Sequence, residues 1–429
     1  MGKRVSLLVL ALILLVAGSV GAVEARLIAG DILTRGEYAA LLVEAAGIEG
    51  EGEAVDLLVD KGIMQGYSDG NMHLEEGISR VEAVVLAAKA LGLEAYIAPP
   101  AGVETPLKAE HWGHNLYSHF VYLGLVEGDP HLILSPEEGA AFLHRVFAPE
   151  PKAQELMERA QAAQKEMEGA LLRTAMKGGF SLILREGAED LAPLPAAVEM
   201  TITQELLPPH KLHQVTSIAL DMPELGREEM TSETYLLDGK MYMGTTDPET
   251  GQLQWFRFPA ALLPDLEGLL EQAQRLEALP AGLEKYMHYH LLGTTELDGE
   301  EVYVISFYGL IDDYASFLNV ALGQLGGMGD IGQALAPMTE LIDSVSYWGV
   351  QYLNVDDLLV RGGDFNGLVV FAADFLTEAV PLEAVFVHME IEEFTFASAA
   401  TFEVPEEVLA APELEFPAME DLSPKEPAA

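Results

Sequence analysis

Leu33-Thr34-Arg35-Gly36-Glu37-Tyr38-Ala39-Ala40-Leu41-Leu42 and Ile78-Ser79-Arg80-Val81-Glu82-Ala83-Val84-Val85-Leu86 are two versions of one phrase. Each sets a hydroxyl, an arginine and a glutamate at the head of an apolar run with helical spacing, so the chain is parsed first as a repeat. Thr34 and Ser79 suit the N-cap, where a side-chain oxygen accepts from an orphan backbone N–H. Glu37 and Glu82 follow three residues later, at the capping-box spacing. For the hydroxyls and glutamates, helix initiation is the leading reading. The arginines have no part in a cap. Arg35 and Arg80 add a planar fork, suited to carboxylate or phosphate, to a helix start whose free N–H groups already favour anions.

Between the two phrases lies the turn-rich link Gly62-Ile63-Met64-Gln65-Gly66-Tyr67-Ser68-Asp69-Gly70. Leu123-Gly124-Leu125-Val126-Glu127-Gly128-Asp129 echoes it and leads to a third helix start at Leu134-Ser135-Pro136-Glu137-Glu138. Together these stretches resemble the S-layer homology (SLH) family, whose repeats pair a TRAE-like helix start with a GYxDGxFxP-like loop. The resemblance covers residues 26–148. It implies an all-α module of three repeats that grips an anionic secondary cell-wall polysaccharide, often a pyruvylated one. It also implies a ligand role for Arg35 and Arg80, set among Thr34, Ser79, Glu37 and Glu82. Tyr67 is expected on the groove wall and Gly70 in the turn, with Asp69 either shaping that turn or meeting a ligand hydroxyl. Pro136 stands where a third arginine belongs, which keeps the helix and loses the charge, so two competent grooves are the most the module can offer.

The chain has 429 residues, room for two or three domains, and 50% of them are hydrophobic, enough for real cores. Its 23 basic against 69 acidic residues give a formal charge of −46, which argues against nucleic acid or an anionic membrane surface as partner. Residues 1–25 read as a signal peptide: Lys3 and Arg4, then an apolar core from Val5 to Val16, then small residues. That core is short for a spanning helix, so no transmembrane span is expected after cleavage. The chain has no cysteine, which removes disulfides, thiolate metal sites, a cysteine nucleophile and a lipoprotein anchor. An extracellular location, held at the cell wall or surface layer, follows from these expectations.

Pro149-Glu150-Pro151 is the expected linker, and residues 152–177 read as one helix. After Gly178-Gly179 the pattern alternates: Phe180, Leu182 and Leu184 share a face, as do Val198, Met200 and Ile202, with Glu199, Thr201 and Thr203 turned outward. Asp238-Gly239 and Asp298-Gly299 each sit between strands as hairpin turns. Helices are expected over 262–279 and 312–344, and strands at 346–350, 357–360, 368–372, 384–391 and 393–396. A Pro/Glu/Ala tail over 411–429 is expected to be disordered.

The whole is a multi-domain chain in which an all-α module precedes an α+β domain over 152–410, a curved antiparallel sheet covered by helices. The lead helix with Ala175-Met176-Lys177, the two hairpins, Trp255 after the first of them, and a last strand ending at Pro405 resemble the LolA/LppX-like half-barrels. That resemblance implies a lipid or other hydrophobic ligand held between sheet and helices. Met200, Met241, Tyr242, Met243, Trp255, Phe256, Phe258, Tyr303 and Phe307 are the candidate lining, since methionine adapts to varied apolar partners. For any one of them an ordinary core position is the leading reading; the pocket rests on the architecture.

Catalytic and cofactor chemistry finds no purchase. His111, His114 and His119 do not share one helix face, and His288 with His290 lack a third ligand, so no metal is expected. Gly327-Met328-Gly329-Asp330-Ile331-Gly332 matches dinucleotide spacing without the strand-turn-helix context that binding needs. Acidic residues are too common for any carboxylate pair to signify. A non-catalytic, wall-anchored surface protein with a hydrophobic-ligand domain is the leading reading; a purely structural envelope protein and a wall-associated hydrolase are its rivals.

Overall fold

The computed structural model describes residues 32–167, 169–185, 197–207, 211–222, 226–246, 253–259, 286–314, 316–317, 341–373, 382–397 and 402–414. The expected signal peptide, the 262–279 helix and the 327–332 loop lie outside these residues. Six helices come first: α1 (Arg35–Ala45), α2 (Ala54–Asp60), α3 (Arg80–Ala90), α4 (His114–Tyr122), α5 (Pro136–Phe147) and α6 (Pro151–Glu166). Eleven strands follow: β1 (Leu171–Leu184), β2 (Ala197–Leu207), β3 (Lys211–Met222), β4 (Gly226–Leu237), β5 (Lys240–Thr246), β6 (Leu253–Arg257), β7 (His288–Leu297), β8 (Glu300–Ile311), β9 (Ile342–Asn354), β10 (Val360–Phe371) and β11 (Leu382–Ala397). A short α7 (Glu406–Leu409) is last.

The repeat phrases start helices as their caps require. Glu37, Glu82 and Glu138 each reach back to the backbone N–H of Thr34, Ser79 and Ser135, at 2.9 Å in every case. The residues just before these caps close a ring of hydrogen bonds. The Leu33 N–H donates to Leu134 O (2.8 Å), the Leu134 N–H to Ile78 O (3.0 Å) and the Ile78 N–H to Leu33 O (2.9 Å). Three helix starts thus meet at one point, and their helices run outward from it.

All eleven strands form a single antiparallel sheet in the order β6-β5-β4-β3-β2-β1-β11-β10-β9-β8-β7, open at both ends. Asp238 and Asp298 take positive φ, 48° and 51°, each followed by a glycine, giving the two tight hairpins that the Asp-Gly pairs announce. Several expectations need correction. The helix of 152–177 ends at Glu166, and Leu171 to Leu184 form β1, because Gly169 turns the chain at φ 86° and an alternating stretch follows. Gly178 and Gly179 therefore lie within a strand rather than before one. A Cβ on either would fall 1.9 Å from His388 O or 2.0 Å from Val198 O, so only glycine lets β11 and β2 approach β1 there. Residues 342–344 belong to β9, not to a helix, and 357–359, expected in a strand, lie in the connection ahead of β10 whose turn spans 355–357. The tail begins later than expected, since Ala411 is buried and the Arg257 N–H donates to Pro412 O at 2.8 Å.

The helical unit lies against one face of this sheet. Tyr308, Trp348, Leu368 and Ala384 share a core with residues of α1 to α5. Three hydroxyls from this face cap carbonyls at the ends of three helices: Ser346 Oγ to Gly92 O (2.9 Å), Ser306 Oγ to Leu123 O (2.8 Å) and the Tyr308 hydroxyl to Val146 O (2.6 Å). Helix C-termini leave such carbonyls unpaired, so the sheet docks where acceptors are in surplus. The opposite face of the same strands carries Ile305, Phe307, Val345, Tyr347 and Val369, which pack with Ala153, Leu156, Met157 and Ala160 of α6. The face toward the helical unit is termed outer, and the face toward α6 inner.

Candidate functional site

The structure separates the two arginines that the repeat treats alike. Arg35 is 6% exposed and fully engaged. Its Nη1 donates to Glu82 Oε1 at 2.6 Å and to the Tyr67 hydroxyl at 2.7 Å, and its Nε donates to Met72 O at 3.1 Å. The guanidinium carbon lies 4.5 Å from the Tyr67 ring centre, a cation–π distance. The Tyr67 hydroxyl donates in turn to Glu82. Burial pushes the Glu82 carboxyl up, yet hydrogen bonds from Ser79 and Tyr67 and the nearby Arg35 charge outweigh it, and the group sits below the usual carboxylate range. The Tyr67 hydroxyl is pushed up to about 12, by burial first and then by its bond to Glu82. Arg35 is thus a strut between repeats, which corrects its expected role as an open fork.

Arg80 differs. Its Nη1 donates to Asp129 O at 2.9 Å, and no carboxylate lies within ion-pair distance among the described residues. The loops explain the contrast. Arg35 and Gly36 donate backbone bonds to Glu76 O and Leu74 O, while Arg80 and Val81 donate to Leu132 O and Pro130 O. Measured from Gly66 and Gly128, the second loop is shorter and has no counterpart of Tyr67 to hold its arginine. Asp69 serves the turn: it accepts from the Asn71 N–H at 2.9 Å and lies 2.7 Å from His73 Nε2. Those two contacts, the first being larger, lower its carboxyl to about 2. Gly70 takes φ 81° in the same turn.

The second candidate site is the inner face of the sheet. Residues directly opposite one another in antiparallel strands share a face, so the register assigns each position. Phe307 pairs with Gly349, Gly349 with Phe365, Phe365 with Met389, Met389 with Gly178 and Gly178 with Met200; Met200 then pairs with Ile218, and Ile218 with Met230. One face therefore carries Met176, Met200, Met230, Met241, Met243 and Met389 across the sheet. Of the expected lining, Met200, Met241, Met243, Phe256, Tyr303 and Phe307 fall on this face. Tyr242 and Trp255 fall on the other, where they pack with Phe402, Val408 and Ala411. That is a correction with a simple cause: Met241-Tyr242-Met243 and Trp255-Phe256 are consecutive, and neighbours in a strand point to opposite faces.

The residues that sequence reasoning passed over are Met176, assigned to a helix, and Met230, in a stretch for which no strand was drawn. Near the β1 to β4 end this face also carries a row of uncharged polar groups. Thr174, Gln204, Gln214 and Thr234 lie side by side on β1, β2, β3 and β4. The alternation of Ala197–Leu207 holds the signal for Gln204 alone.

No helix among the described residues is long and apolar enough to cross a membrane. No protein-family model matches the chain, and no curated protein does. Among solved structures it is similar to LprF from Mycobacterium bovis, with 14% identity and a TM-score of 0.30, over 60% of this chain and 98% of that one. It is also similar to the lipoprotein LppX of Mycobacterium tuberculosis, with 8% identity and a TM-score of 0.28, over 59% and 100% of the two chains.

Proposed function

We propose that this is a non-catalytic surface protein whose half-barrel-like sheet holds a hydrophobic ligand on its inner face. The observation that carries this reading is the run of apolar side chains along that face. Met176, Ile218, Met243 and Phe256 on it are only half-buried, and Met230 is 52% exposed. Apolar surface left neither sealed nor dispersed marks a binding surface more often than a core. Full-length protein should enhance the emission of N-phenyl-1-naphthylamine, an uncharged apolar dye. Ile218→Asp, which sets a charge on the half-buried part of that face, should abolish the enhancement with the melting transition kept. Equal enhancement by the variant would remove the reading.

A second element of the proposal is retention at the wall: the helical unit grips an anionic secondary cell-wall polysaccharide outside the membrane through Arg80. Its support is the guanidinium of Arg80, which forms no ion pair among the described residues, at a helix start that favours anions. The long-range charge of −46 opposes such a polymer, so moderate salt should assist binding. Purified wall sacculi should retain the wild type and lose Arg80→Ala, with its stability unchanged to within about 0.5 kcal/mol. Arg35→Ala should instead cost on the order of 3 kcal/mol, because it strands Glu82 without its partner. Undiminished retention of Arg80→Ala would remove the anchoring reading and leave the ligand reading standing.

A further inference from the structure

The inner face is not uniformly apolar, and its exceptions share one chemistry. Thr174 pairs with Gln204, Gln204 with Gln214 and Gln214 with Thr234, so a hydroxyl, two amides and a second hydroxyl form a row across four strands. On one side of the row run Leu172, Leu206, Leu212, Leu236 and Met241; on the other come Met176, Ile202, Thr216 and Ser232, where Gln214 Nε2 donates to Thr216 Oγ1 at 2.9 Å, and beyond them Met200, Ile218 and Met230. The Thr174 hydroxyl is buried and has no hydrogen-bond partner. Such a group costs free energy unless something completes it, so its presence inside an apolar face calls for a ligand atom.

The geometry points to a neutral acyl lipid as the occupant, one whose polar part is ester and hydroxyl oxygen rather than phosphate, seated with that part on the Thr174–Gln204–Gln214–Thr234 row. This rests on the hydrophobic-ligand reading and narrows it. The row supplies donors and acceptors but no charge, as an ester carbonyl or a hydroxyl requires. Among the described residues phosphate finds no cationic partner on this face. Among the described residues of the strands, every Lys and Arg on β1 to β6 falls on the outer face or its turns by the same register. The planar forks that suit phosphate are also occupied: Arg173 by Glu205, Arg227 by Glu199 and Glu229, Arg257 by Glu413, and Arg361 by Glu300 and Asp357. A net charge of −46 opposes an anionic head from a distance as well.

The test pairs two lipids with the same acyl chains. Full-length protein is incubated with an equimolar mixture of dioleoylglycerol and dioleoylphosphatidylglycerol, and bound lipid is read by native mass spectrometry. The diacylglycerol should be enriched at least about tenfold, because a buried phosphate here has no countercharge. Thr174→Val, nearly isosteric, should lower diacylglycerol binding several-fold and leave the uncharged dye unaffected. Gln214→Lys should shift the mixture toward phosphatidylglycerol, whereas Ser217→Lys on the outer face should not. Equal or preferred binding of phosphatidylglycerol by the wild type would overturn the inference while the carrier reading stands. Binding of neither lipid, with no dye enhancement, would overturn both.

Discussion

The two halves of the sheet are built to opposite specifications. Strands β7 to β10 are covered twice, by the helical unit on the outer face and α6 on the inner. Their sequences accordingly lose the alternation of half-exposed strands: Glu300–Ile311 reads EEVYVISFYGLI and is buried at six of its last seven positions, all but Leu310. Strand β2 keeps the alternation, as Val198, Met200 and Ile202 against Glu199, Thr201 and Thr203 show, while β3 is half-buried over 211–220 and β4 is exposed over its first half. The difference separates scaffold from working surface. Stability resides where both faces are packed; on the inner face of the other half, Met200, Ile202 and Met389 are buried while Ile218, Met243 and Met230 are not, and the proposed ligand would sit on the latter.

Substitution at the seam should give the largest effect. Trp348 is fully buried between Phe386 and His119 in the core shared with the helical unit. Trp348→Ala should cost about 3–5 kcal/mol in urea unfolding, the range for removing a large aromatic from a packed core. A loss below about 1 kcal/mol would mean that the helical unit and sheet are not held together there.

Acid should act on the same seam. His119 and His288 are buried against the outer face; both ring nitrogens of His119 and Nδ1 of His288 have no partner. Burial lowers each to about 4, and for His288 the neighbouring His290 adds to the effect. Both therefore stay neutral when folded, while the unfolded chain takes up protons near pH 6.5. Stability is full above that pH and falls as pH drops from about 6.5 toward about 4, by on the order of 3 kcal/mol for each group. Burial also lowers His290 and raises Asp364 in the same region of the molecule, so the His119 share is isolated by His119→Phe, which should flatten the pH profile of the melting temperature. An unchanged profile would show that His119 is not the sensor.

Much of this contrast was legible in the sequence, and the failures have a common source. The capping boxes, the Asp-Gly hairpins and the alternation of Val198 to Thr203 are local, so they could be read from neighbours in the chain. That Arg35 is spent on Glu82 could not, because the deciding group, Tyr67, lies on a loop whose path depends on the second repeat. Likewise the first half of β1 reads as the continuation of a helix: Leu171, Leu172 and Met176 fit helical spacing as well as strand alternation, and only pairing with β11 and β2 decides. The row from Thr174 to Thr234 is invisible until four strands are placed in register.

A smaller effect should come from the hydroxyl that joins the layers. Tyr308 donates to Val146 O at 2.6 Å, and its oxygen lies 3.0 Å from His290 Nε2. Tyr308→Phe keeps the ring and leaves both groups short of a partner, a cost of about 1–2 kcal/mol by chemical denaturation. Retained stability would argue that water replaces the hydroxyl and that the seam is wetter than the packing of Trp348 implies.

The smallest change is the most telling for the comparison. Ile218 lies on the inner face of β3, half-buried, between Met200 and Met230. Were this half of the sheet an ordinary core, Ile218→Ala would cost as much as any other large-to-small core change, about 2–5 kcal/mol. As part of an open binding face it should cost no more than about 1 kcal/mol in the ligand-free protein, because little surrounding structure is left unsupported. The deficit should grow when dioleoylglycerol is present, since a ligand that binds only the folded state adds stability in proportion to its affinity, and the truncated face binds it less well. A variant equally destabilised with and without lipid would place Ile218 in the scaffold and move the boundary between the two halves toward β4.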